Sequence, residues 1–255
     1  MEKRGRRRGS MVQVINFAHR GAAGHCPENT MIAFKRALEF GATGIETDVQ
    51  MTKDGQLVLI HDETLRRTTG SPEWVKDVTL TELMSKDAGA WFHDDFRGEK
   101  IPTLEQLLEL VKPLDMIINL ELKNGIIRYP GLEGKVIELV RRFALSERVI
   151  ISSFNHYSLV ECKKLAPEIR TGILYMEGLY EPWAYAKRIG ADALHAFQYA
   201  VVPELVAAAS EYGMPYHPFT VNEKAEMQAL IQAGVAGIIT DYPDRLAELL
   251  TAEGG

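Results

Sequence analysis

The sequence predicts an α/β protein, a (β/α)8 TIM barrel with a β-hairpin and a small insertion after the second strand, and three observations carry that prediction. Short β-branched runs alternate with amphipathic stretches from Val14 almost to the end, the rhythm of βα units around a parallel sheet. Eight such units fit the 255 residues, the count and size of a barrel. An open doubly wound sheet would normally carry a G-x-G-x-x-G turn after its first strand, and HRGAAGHCPEN at 19–29 lacks that spacing.

The predicted strands are VINFAH (14–19), GIETDVQ (44–50), MIINLELK (116–123), RVIISSF (148–154), RTGILYM (170–176), ADALHAF (191–197), MPYHPFTV (214–221) and GIITD (237–241). Helical patterns such as NTMIAFKRALEFG, GKVIELVRRFAL and EKAEMQALIQAG lie between them, several ending in the Gly that helix C-termini favour. PDRLAELL closes the eighth unit. LVLIHD (57–62) is also a strand, but only TKDGQ separates it from the second one. That is too short for a parallel crossover, so this strand folds back antiparallel with Asp54 and Gly55 at the tip and His61 beside Asp48. Residues 63–102 then form an irregular insertion, with Trp74, Trp91, Phe92 and Phe96 as its expected apolar anchors. Insertions of this length are commonly functional, as a lid or a pocket wall.

Composition narrows the function classes. The first ten residues hold five Lys or Arg against one Glu, so the remainder is more acidic than the formal net charge of −6. An acidic body argues against a nucleic-acid partner, which needs a basic face. Residues 1–11 read as a tag or solvated basic leader, and 12–255 as one domain. No run of 18 apolar residues and no secretory pattern is present, so a cytoplasmic location without a transmembrane segment is the expectation. Cys26 and Cys162 are too few for a disulfide framework or a zinc cluster. The oligomeric state is left open.

In a barrel, catalytic groups sit at the carboxyl ends of strands. Four such ends carry titratable side chains here: His19-Arg20, Glu46 with Asp48, His61-Asp62, and Glu121 with Lys123. Residues two apart on a strand share a face, so Glu46 and Asp48 point the same way, as do Glu121 and Lys123. Alone, E-x-D reads as a wet outer face. In a parallel barrel, however, helices cover that face, and an inward carboxylate pair is costly without a cation beside it. Three carboxylates suit one hard divalent cation, Mg²⁺ or Ca²⁺. Two histidines could serve as general acid and base, with Arg20 and Lys123 gripping phosphate oxygens. That inventory describes phosphodiester cleavage. His25, in the loop after the first strand, reads equally as lining the mouth or as a surface residue; His93, His156 and His195 read as loop or structural residues, while His217 is a candidate to face the pocket.

AHRGAAGHCPENT (18–30), GIETDVQMTKDGQLVLIHD (44–62), DAGAWF, IPTLEQLL, NLELK (119–123), ISSF (151–154) and ITDYP (239–243) together resemble the glycerophosphodiester phosphodiesterase family, in its compact cytoplasmic form. The resemblance implies metal-dependent hydrolysis of glycerophosphodiesters to sn-glycerol 3-phosphate and an alcohol, a small-molecule partner only. It implies His19 and His61 as the acid/base pair, Glu46, Asp48 and Glu121 as metal ligands, and Arg20 and Lys123 on the phosphate. Glu28 of PENT is implied as an ordering residue behind the site; with His217, a candidate from its place on the seventh predicted strand, and Phe219 it completes the expected substrate-binding set. One departure is Phe219-Thr220-Val221-Asn222, where many relatives resemble W-T-V-N; Phe keeps an apolar wall and lacks the indole N–H donor. A lysophospholipase D-like activity on acylated substrates is the nearest alternative. A catalytically silent barrel is disfavoured by the intact set of histidines and carboxylates.

Overall fold

The structure, a computed structural model, describes residues 14–253; the basic leader expected at 1–11 lies outside them. The chain runs β1 (Ile15–His19), α1 (Met31–Glu39), β2 (Gly44–Met51), β3 (Leu57–Leu59), α2 (Arg66–Thr69), α3 (Leu80–Met84), α4 (Leu104–Val111), β4 (Ile117–Leu122) and α5 (Leu132–Arg142). It continues through β5 (Val149–Ser153), α6 (His156–Leu165), β6 (Arg170–Tyr175), α7 (Pro182–Arg188), β7 (Ala193–Ala196), α8 (Pro203–Glu211), α9 (Lys224–Ala233), β8 (Gly237–Thr240) and α10 (Pro243–Glu253). The order β7-β6-β5-β4-β2-β1-β8 is parallel throughout, and β3 pairs antiparallel with the end of β2. This is an α/β TIM-barrel-like fold.

The run at 214–221 corrects the sequence expectation, because it forms no regular strand. Pro215 and Pro218 have no N–H to give a ladder, and only isolated bridges at Tyr216 and Phe219 remain. Several of its other backbone groups still pair. His217 N and Phe219 N donate to Leu194 and Ala196 of β7 at 2.8 and 3.0 Å, while Ile239 N of β8 donates to Pro218 O at 2.9 Å. The segment therefore links the two edge strands through the groups proline leaves intact.

Strand parity decides what faces where. Ile45, Val49, Ile118, Leu120, Ile151 and Ile173 join the main apolar core with Phe34, Leu107, Leu108, Val136 and Leu159 of the helices. The opposite face of the strands points into the barrel, where a smaller cluster of Phe17, Ile150 and Ile239 fills the lower part. Gly44 and Gly237 flank that cluster. A Cβ at Gly44 would lie 2.5 Å from the Phe17 ring, so the glycine is what admits the ring. Above this layer the inward residues turn polar, and the site begins there.

The insertion has its own small core of Val58, Ile60, Leu65, Val75, Val78, Leu83, Ala88 and Ile101. The aromatic residues are not its anchors: Trp74 and Trp91 are exposed, and Phe92 and Phe96 are half-buried. Aliphatic side chains on β3, α3 and the flanking loops already fill the base. Residues 87–98 are instead tied by Asp87, which accepts from the backbone N–H groups of Gly89, Ala90 and Gly98 at 2.8–2.9 Å. Among the described residues no helix is long and apolar enough to cross a membrane.

Candidate active site

At the end of β1 the chain turns sharply, with Arg20 and Gly21 at φ 52° and 82°. The positive φ at Arg20 is uncommon for a residue with a Cβ. It aims the Arg20 N–H at Glu46 Oε2, 3.0 Å away. The Arg20 side chain reaches across, with Nη1 donating to Glu28 at 2.9 Å and Nε lying 3.2 Å from Asp48 Oδ2. Asn29, also left-handed, donates from Nδ2 to Asp48 Oδ2 at 2.9 Å and accepts from Thr47 Oγ1 at 2.6 Å. Thr30 then caps α1, accepting from Ala33 N. PENT is thus the turn that carries the first βα loop over the strand ends.

Register brings the carboxylates together: His19 lies opposite Glu46 on β2, and Asp48 opposite Glu121 on β4. Glu46, Asp48 and Glu121 are 3, 1 and 9% exposed, and one oxygen from each lies within 4.8 Å of the others. Burial, with Asp48 and Glu121 adding repulsion, pushes Glu46 well above the usual carboxylate range. Glu121 is pushed up to about 7, by burial and then by Asp48, against the pull of Lys123. Burial opposes ionisation of Asp48 too, but Arg20, Lys123 and His61 outweigh it and hold that carboxyl well below its ordinary value. Lys123 Nζ donates to Glu121 at 3.0 Å and lies 3.8 Å from Asp48 Oδ1. Asp48 Oδ1 is nevertheless buried without a hydrogen bond. An oxygen-only donor set and an orphaned buried carboxylate oxygen fit one hard cation.

Each of the two predicted histidines is held by an aspartate. His19 Nδ1 donates to Asp241 Oδ1 at 2.7 Å, and its Nε2 lies 3.9 Å from Glu46 Oε2. His61 Nδ1 donates to Asp62 Oδ1 at 2.8 Å. A bond at Nδ1 fixes the tautomer and leaves Nε2 for the site. Burial, with Arg20 and Lys123 adding to it, lowers the His61 pKa against the opposing pull of Asp48 and Asp62. The segment carrying His61 hangs from one buried amide, since Gln50 Nε2 donates to the carbonyls of Ile60, His61 and Asp62 at 3.0, 3.0 and 2.7 Å. Tyr129 Oη in turn donates to Gln50 Oε1 at 2.8 Å.

The structure gathers His19, Arg20, Glu28, Glu46, Asp48, His61, Glu121 and Lys123 at one end of the barrel. Glu28 is engaged by Arg20 and Arg67 rather than turned to an open pocket. Phe219 stands edge-on to Phe154 and Phe197, at 6.1 and 6.0 Å between ring centroids, as part of an aromatic wall at the ends of the later strands. His217 does not face the pocket. Two residues nearer the start of its segment than Phe219, it lies one layer deeper, 3% exposed, with Nδ1 3.0 Å from His195 Nε2. Burial, with Arg170 adding repulsion, lowers its pKa to about 3. His25 packs against Phe40 and Tyr242, beside Asp244.

Sequence reasoning overlooks Asp241, Asn29, Gln50 and Arg67. Two of these carry a signal: Asp241 ends the eighth predicted strand, and Gln50 shares the face of Glu46 and Asp48 by parity. Asn29 and Arg67 act from loop and insertion geometry, which no periodicity marks.

Fold and site together define a TIM-barrel-like protein with a buried carboxylate triad between two histidine–aspartate pairs. Residues 19–245 match the Glycerophosphoryl diester phosphodiesterase family. A glycerophosphodiester phosphodiesterase of Caldanaerobacter subterraneus subsp. tengcongensis is 50% identical over 243 residues, covering 95% of this chain and 100% of that protein. Another, of Bacillus altitudinis, is 46% identical, covering 91% of this chain and 96% of that one. A phosphodiesterase of Oleispira antarctica, solved in complex with the product sn-glycerol-3-phosphate, superposes with a TM-score of 0.83 at 30% identity, covering 92% of this chain and 96% of that one. The chain belongs to the glycerophosphoryl diester phosphodiesterase family.

Proposed function

We propose that this chain hydrolyses glycerophosphodiesters, such as glycerophosphocholine or glycerophosphoethanolamine, to sn-glycerol 3-phosphate and the free alcohol, with one Mg²⁺ or Ca²⁺ held by Glu46, Asp48 and Glu121. The observation that carries this reading is the buried, incompletely neutralised carboxylate triad flanked by two aspartate-held histidines. The product found in the Oleispira antarctica relative supports the substrate class. When bound, the cation supplies charge neutralisation and orientation of the phosphoryl group.

The chain's own residues would divide the remaining work. Arg20 and Lys123 grip phosphate oxygens by charge-assisted hydrogen bonds. One of His19 and His61 takes the proton of the glycerol 2-hydroxyl as that oxygen attacks phosphorus, and the other gives a proton to the departing alcohol oxygen as its P–O bond breaks. A water then opens the cyclic phosphate, with each histidine reversing its role. Asp241 and Asp62 keep both rings in register and stabilise whichever imidazolium forms, as in other carboxylate–histidine pairs. The Phe154–Phe219 wall would border the alcohol.

Two comparisons of initial rates test the proposal. The first sets glycerophosphocholine against lysophosphatidylcholine, and faster cleavage of the acylated substrate would overturn the substrate class. The second sets glycerophosphocholine against its analogue lacking the glycerol 2-hydroxyl. The cyclic route expects the analogue to be inert, and equal rates would replace it with direct attack by water.

A further inference from the structure

Arg67 lies on α2, in the insertion, outside the residues to which the reaction has been assigned. Its guanidinium makes four hydrogen bonds, two to each of two carboxylates. Nε and Nη2 donate to Asp62 at 2.8 and 2.9 Å, and Nη1 and Nη2 donate to Glu28 at 2.7 Å each. Both carboxylates are already partners of site groups: Asp62 accepts from His61 Nδ1 at 2.8 Å, and Glu28 accepts from Arg20 Nη1 at 2.9 Å. Arg20 in turn lies 3.2 Å from Asp48. One side chain therefore joins the group that follows the hairpin to the group that follows β1.

The guanidinium is itself located from the insertion side. Its carbon lies 5.7 Å from the centroid of the Trp91 ring, and the indole Nε1 donates to Ala88 O at 2.9 Å. The helix that carries it starts beside Leu65, which is fully buried in the insertion's own core. An exposed ion pair formed only for stability would contribute little. It would not need a planar fork bidentate to two carboxylates, a geometry that arginine supplies and lysine does not.

We infer that Arg67 is a positioning residue for the proposed reaction, setting the orientation of His61 through Asp62 and of Arg20 through Glu28, and that the insertion serves the site as a brace. The inference rests on the roles proposed above for His61 and Arg20. Without the guanidinium, the Asp62 carboxylate is left with His61 and the Glu28 carboxylate with Arg20, so the two groups that orient His61 and Arg20 lose the contact that locates them.

The test uses the full chain with Mg²⁺ or Ca²⁺ and glycerophosphocholine, comparing Arg67→Met, Arg67→Lys, Asp62→Asn, Glu28→Gln and His61→Ala. The Arg67→Met variant is expected to lose about 10- to 100-fold in kcat, the range for residues that orient a reacting shell, with a melting temperature near that of the parent. Arg67→Lys should recover little of the loss. Asp62→Asn should lower kcat, Glu28→Gln should chiefly raise KM, and adding Arg67→Met to Asp62→Asn should cost less in kcat than it does alone. Near-normal kinetics in Arg67→Met, full recovery by lysine, or a loss that simply tracks melting would overturn the inference. If His61→Ala is inactive while Arg67→Met is normal, this inference alone fails. If His61→Ala is fully active, the reading beneath it fails as well.

Discussion

The two histidine–aspartate pairs are the same chemical device built in two ways. His19 ends β1 and Asp241 follows β8, neighbouring strands of the sheet, so the pair is placed by a ladder that runs through the core. Asp241 is fixed further by Asn222, whose Nδ2 donates to it at 2.7 Å. His61 and Asp62 are adjacent in sequence and lie beyond the short β3, held by Gln50 from below and Arg67 from the insertion. The His19 side chain is 16% exposed and that of His61 33%. The difference teaches that strand pairing sets the place of one half of the site, with one loop amide to fix it, while the other half depends on several polar side chains and the insertion.

Substitution should break this comparison most strongly at the histidines themselves. His19→Ala and His61→Ala are each expected to lower kcat by about 10²- to 10⁴-fold with unchanged circular dichroism; near-normal turnover in either would remove that half from the account. Glu46→Gln should raise the cation concentration for half-maximal rate by about tenfold or more, measured by titration after chelation, and an unchanged midpoint would take Glu46 out of the cation site. Asp241→Asn and Asp62→Asn sharpen the contrast, with expected losses of roughly 10- to 100-fold each. If only one of them matters, the two pairs are not equivalent in the reaction. The smallest effect is expected from Gln50→Ala, which strands three carbonyls. It should lower stability by about 1–3 kcal/mol and weaken turnover through His61 alone, so that combining it with His61→Ala costs no further rate.

Much of this site was legible because parity on a strand is unforgiving: Glu46, Asp48 and Glu121 could only converge once a parallel barrel was accepted. The His61 side was legible through chain length, since five residues between β2 and β3 leave room only for a hairpin, and Gly55 takes the positive φ at its tip. Asp241 was harder, because its partner lies 222 residues away and only closure of the sheet brings them together. The 214–221 run departs from its strand-like alternation for a local reason: two prolines cannot donate to a ladder. His217 lies a single layer of side chains below the site, a depth that follows from register rather than from residue type. The aromatic residues of the insertion look like anchors in the sequence, but aliphatic side chains cover its base and leave Trp91 to lie beside Arg67.

The measurement that tests the central claim most directly is release of sn-glycerol 3-phosphate from glycerophosphocholine by the purified chain, before chelation, after it, and after return of Mg²⁺ or Ca²⁺. The account expects release to stop on chelation and to resume with at least one of the two cations. Release that continues unchanged in the chelated protein would contradict a cation held by Glu46, Asp48 and Glu121, and no release under any of these conditions would contradict the proposed substrate.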